Sequence, residues 1–97
     1  MYKLLFFLKK TNHEQIQNHF IEYTIKYISA VVHQDIKIGK VESSLLLDSN
    51  YSLFCEAKVE SKDTWDSLMN TVEGKELNKD LMEFHNSISV VFIDYNF

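Results

Sequence analysis

Imidazole is the side chain best suited to proton transfer or metal ligation near neutral pH, which makes the four histidines, His13, His19, His33 and His85, the first candidates for chemistry. His19 and Glu22 stand three apart, close enough on a helix to touch one ion. No second pair at ligand spacing accompanies them, and a metal site needs three or four ligands, so no metal is expected. His85 follows Phe84 at a helix end, where a positive ring would complement the helix dipole. Cys55 lies on the apolar face of an alternating run, where burial raises a thiol's pKa and blunts it as a nucleophile. Asp94 follows Ile88, Val90 and Phe92 along one side of the last apolar run. A carboxylate at the rim of such a surface can serve as a base, which makes Asp94 a catalytic candidate. Two further groups, Lys40 with Glu42 and Glu56 with Lys58, either form cross-strand charge pairs or orient a small ligand among oily neighbours.

Aromatic side chains are plentiful, with seven Phe, five Tyr and one Trp. A cavity between a helix and the sheet would be lined by Phe6, Phe20, Tyr23, Tyr27, Trp65 and Phe92. The chain has no Gly-rich phosphate loop, no Cys-x-x-Cys and no Ser or Cys nucleophile motif, so no cofactor is expected.

These residues must be positioned by elements read from period and caps, since proline is absent and only Gly39 and Gly74 punctuate the chain. Residues 2–10 form a first apolar strand. Thr11 and Glu14 have capping-box spacing, and a helix over about 12–32 follows. One stripe of that helix carries Ile16, Phe20, Tyr23, Tyr27, Ala30 and Val31; a second carries Ile21, Ile25, Ile28 and Val32, so two neighbours are needed. A β-hairpin joins 35–47 to 51–60 across a turn at Asp48-Ser49-Asn50. Ser61-Lys62-Asp63 opens a second helix with Trp65, Leu68, Met69 and Val72 on one face. After Gly74 the apolar phase moves to Leu77, Leu81 and Phe84, which predicts a break at Gly74. The last strand covers 88–97.

The order β-α-β-β-α-β predicts an α+β, ferredoxin-like plan: a four-stranded antiparallel sheet with helices on one face, as one domain over 1–97. That plan leaves the last strand on an edge, and this strand is apolar on both faces. Lys3, Leu5 and Phe7 make the helix-free face of the first strand oily as well. A second copy packed through the sheet face and last strand would cover both, so a homodimer is expected. The chain is short, and a domain of 97 residues buries only about 60–65% of its unfolded surface, so association would help it. Its net charge of −4 argues against nucleic acid and anionic membranes as partners. A lone cysteine and the absence of a long apolar run point to a cytoplasmic protein.

The sequence resembles the dimeric α/β-barrel superfamily and, within it, the EthD-like proteins. The residues that carry the resemblance are the Tyr2-Lys3 start of the first strand with Phe20 and Tyr23 in the helix after it, Val59-Glu-Ser-Lys-Asp-Thr-Trp65, and the segment from Glu73-Gly74 through Asp80 to Phe84. The family often has a histidine and a proline-bearing turn late in the first helix; here the stretch Lys26–His33 has no proline, and His33 is the candidate to stand there. Related barrels include small monooxygenases, isomerases, haem-degrading enzymes and members without known activity. The resemblance implies a small dimeric barrel that binds a hydrophobic molecule between helix and sheet, with isomerase or monooxygenase-like chemistry in some relatives. A non-catalytic dimerisation or regulatory module without a ligand stays open beside it.

Overall fold

The computed structural model describes residues 1–42 and 50–95. Strand β1 (Tyr2–Lys9) is central, pairing antiparallel with β3 (Tyr51–Val59) on one side and with β4 (Ile88–Asp94) on the other. The short β2 (Gly39–Lys40) adds to β3, giving the order β2-β3-β1-β4. This is the ferredoxin-like antiparallel sheet, and β4 is an edge strand as expected.

Alternation along β1 decides which face is covered. Tyr2, Leu4, Phe6 and Leu8 are buried with Cys55 and Ala57 of β3 and Ile88 of β4. The helices pack on that side. Leu5 and Phe7 point to the opposite face, in register with Glu56 and Val91 and with Phe54 and Ser89 respectively.

The first helix is three consecutive stretches: α1 (Glu14–His19), a π-helical segment (Phe20–Thr24) and α2 (Ile25–Val32). Its inward residues, Ile16, Phe20, Thr24, Ile28 and Val32, run in steps of four. At about 100° per residue each such step drifts by about 40°, so a straight α-helix would turn this row away from the sheet. One wider π turn takes up part of the drift. The predicted phase therefore needs correction: Thr24 faces inward, while Tyr23 and Ile21 are exposed. The start differs too. His13 is the N-cap, and Thr11 Oγ1 accepts from His13 N–H (3.0 Å) instead of closing a capping box with Glu14.

The second helical region is α3 (Lys62–Met69) and α4 (Val72–Glu83). Ser61 caps α3, its hydroxyl accepting from Thr64 N–H (3.2 Å). The break falls at Asn70-Thr71 rather than at Gly74, because Thr71 is the N-cap of α4 and its hydroxyl accepts from Gly74 N–H (3.1 Å). Gly74 is demanded by proximity: a Cβ there would sit 2.4 Å from Leu68 O and from Met69 Cα. The first helix has two neighbours, as expected: the sheet, and α4, against which α2 packs.

The predicted hairpin is only partly in view. Residues 35–38 are not strand, and β2 is two residues long. The expected strand over 43–47 and the Asp48-Ser49 part of the turn lie outside the described residues, as does the end of the last strand at 96–97. Among the described residues, Glu56 meets Lys3 of β1 (3.9 Å) instead of Lys40, which lies opposite Leu53. No helix among them is long and apolar enough to cross a membrane.

Candidate functional site

The most organised polar cluster lies between the first helix and α4. Asp80 is a carboxylate 5% exposed inside the apolar row of α4, one residue before Leu81 and three after Leu77. Burying such a charge is costly unless it is paired and hydrogen-bonded. Here both oxygens are used: His19 Nε2–H donates to Oδ1 (2.5 Å) and Thr24 Oγ1–H donates to Oδ2 (2.7 Å). His19 and Thr24 are five residues apart and would diverge on an α-helix. In the π segment the backbone bonds run from i to i+5, which sets the two side chains above one another and lets both reach one carboxylate. The imidazole is further held by the ring of Phe84, stacked with centroids 4.1 Å apart, and by Tyr23 at 5.3 Å. In the neutral imidazole, a proton on Nε2 makes Nδ1 the accepting nitrogen of the ring. Beside this pair is a cleft of about 340 Å³, lined by His19, Tyr27, Glu76, Lys79, Asp80 and Glu83.

A larger cleft of about 540 Å³ opens at the end of the sheet, between α2, α3 and β3. Val32, Val59, Leu68 and Met1 make its apolar wall. Gln34, Lys58, Glu60 and Thr64 make its polar edge, and Gln34 Nε2 donates to Lys58 O (2.6 Å).

The residues singled out in the sequence are scattered. Phe6, Phe20 and Trp65 belong to the buried core cluster. Tyr27 is half-buried at the inter-helix cleft, and Tyr23 is exposed beside His19. Phe92 lies opposite Leu4 on the helix side of the sheet, half exposed because β4 is an edge, with its ring 6.1 Å from that of Tyr2. Asp94 is exposed at the end of β4, opposite Tyr2. His33 is exposed and closes α2 in the left-handed conformation (φ 53°), the place usually taken by glycine. Burial pushes the Cys55 thiol up to about 12, which keeps it protonated. His85 Nδ1–H donates to Met82 O (2.9 Å) in the last turn of α4. No group of three or more potential metal ligands exists among the described residues.

The sequence pattern presents His19 only as half of a metal pair with Glu22 and gives Thr24 and Asp80 no chemical role. The available signal was phase: Thr24 stands four from Phe20 and from Ile28, and Asp80 falls between Leu77 and Phe84, so each is a polar group on an apolar row.

The sheet order and the one-sided helices define a ferredoxin-like α+β protein. Within that class the fold is EthD-like. It superposes on the crystal structure of an ethyl tert-butyl ether D (EthD) family protein from Bacillus halodurans with a TM-score of 0.80 and 22% identity, over 97% of each chain. A structure of an Arabidopsis thaliana protein matches with a TM-score of 0.59 and 22% identity, over 98% of this chain and 92% of that one. A dimeric protein of unknown function and ferredoxin-like fold from Bacteroides fragilis aligns more loosely, at a TM-score of 0.49 and 15% identity. No family model matches the chain, and no curated protein does.

Proposed function

We propose that the protein is a homodimeric barrel, assembled through the open face of its sheet, that takes a small, largely apolar molecule between helix layer and sheet. The observation that carries the ligand reading is the cleft between α2, α3 and β3. Its volume of about 540 Å³ falls in the usual range for small-molecule sites, and it pairs an apolar wall with a few polar groups at one edge. The interior between Phe6, Phe20, Ile28 and Leu77 is filled by these side chains, each at most 1% exposed, so the ligand is assigned to the end of the sheet.

Titration with a medium-chain alcohol such as 1-decanol tests this, because its hydroxyl fits the polar edge and its chain the wall. Binding raises the unfolding free energy by RT ln(1 + [L]/Kd), about 2.7 kcal/mol at a hundred times Kd. The melting temperature should rise with alcohol concentration, and Leu68→Trp, which fills the cleft, should abolish the rise.

A second reading is a dimerisation module with no ligand. What favours it is that no buried side-chain polar atom among the described residues lacks a hydrogen-bond partner. A melting temperature indifferent to the alcohol would select that reading.

A further inference from the structure

We propose that His19, oriented by Asp80, is a general base that removes the α-proton of a small neutral carbonyl compound bound in the cleft between the first helix and α4. This site is separate from the α2–α3–β3 cleft and does not depend on what binds there.

Three observations carry the inference. Asp80 accepts from both Nε2–H of His19 and the hydroxyl of Thr24, which in the neutral ring sets the tautomer with its lone pair on Nδ1. The imidazole has Nε2 turned to the buried carboxylate and aromatic rings stacked against it, yet its side chain is 26% exposed and lines the cleft. Finally, the helix departs from α geometry at the very residues that place His19 and Thr24 on one carboxylate, and π segments inside α-helices are frequent at functional sites.

The cleft also sets the substrate class. It carries the carboxylates of Glu76, Asp80 and Glu83 against the one ammonium of Lys79, so an anion is repelled and a neutral molecule admitted. In the step itself the C–H bond breaks and an N–H bond forms at Nδ1, while the electron pair moves onto the carbonyl oxygen as an enolate. Asp80 stabilises the imidazolium, and the Lys79 ammonium and the Tyr27 hydroxyl are the donors at hand for the enolate oxygen. Return of the proton to carbon restores the ketone, and in heavy water a deuteron is returned instead. No oxidant or co-reactant is needed.

The experiment is loss of the α-proton NMR signal of cyclohexanone in heavy water. Exchange should run on the order of 100-fold faster with the protein than with free imidazole at equal concentration. His19→Gln keeps an amide donor for Asp80 and so the link between the helices, but has no base; it should reduce exchange to the imidazole level, whereas His85→Gln should leave it unchanged. A rate no greater than that of imidazole, or one unaffected by His19→Gln, overturns the proposal. A measurement on the unaltered protein guards against a variant that does not fold. Long-range proton–nitrogen NMR of the His19 ring should show the proton on Nε2 and an Nδ1 resonance that moves on adding cyclohexanone. A proton on Nδ1, or a resonance indifferent to the ketone, overturns it equally.

Discussion

The Asp80 carboxylate shows how one side chain can bind two helices. It is buried, and it depends on His19 and Thr24 for both of its oxygens. Asp80→Ala removes the acceptor and leaves a hydroxyl and a ring N–H without their partner, so stability should fall by about 2–4 kcal/mol in chemical denaturation. His33 sits in the left-handed conformation at the end of α2 and is exposed. His33→Gly should therefore raise stability by about 0.5–1 kcal/mol, read in the same assay. Cys55 gives a pH dependence. Its thiol titrates near 9 when unfolded and near 12 when folded, so between those values the native state holds a proton the unfolded chain has released. Stability must then fall as pH rises from about 9 to about 12. Cys55→Ala should show a shallower fall over the same window, which isolates the share of the thiol.

At the level of elements, most of the layout was legible because strands and helices here keep clean periods. The alternation of β1 and the buried Cys55 and Ala57 of β3 matched a period of two. What escaped was geometry that departs from the assumed period. Reading Phe20–Thr24 by its apolar residues alone put Tyr23 on an inward stripe and left the Thr24 hydroxyl without a place, and the inter-helix site went unread with it. Gly74 was misread for a different reason. A glycine between two apolar phases resembles a helix end, but this one lies inside α4 where that helix touches the end of α3. Its role predicts that Gly74→Ala destabilises strongly, by about 2–4 kcal/mol, since the methyl meets backbone atoms that cannot swing aside. Thr71→Ala, which removes only a cap, should cost about 1 kcal/mol.

For the whole molecule, the question is what covers the open side of the sheet. Leu5, Phe7, Phe54, Val91 and Ile93 share that face, with the ring of Phe7 4.9 Å from that of Tyr51 and 5.0 Å from that of Phe54. At one end Lys3 lies 3.9 Å from Glu56 and over the ring of Tyr95. A stable interface needs about 800 Å² from each partner, and the two long extents of the molecule, 35 and 30 Å, leave room for it. Covering apolar area of this kind is favourable by roughly 25 cal/mol per Å². Val91→Glu places a charge on this face at the edge strand without touching the core, so it should yield a folded monomer.

Sedimentation equilibrium of the unaltered protein at micromolar concentration tests this assembly most directly. A particle of twice 11.5 kDa is predicted, and a stable, soluble species of 11.5 kDa would contradict the account.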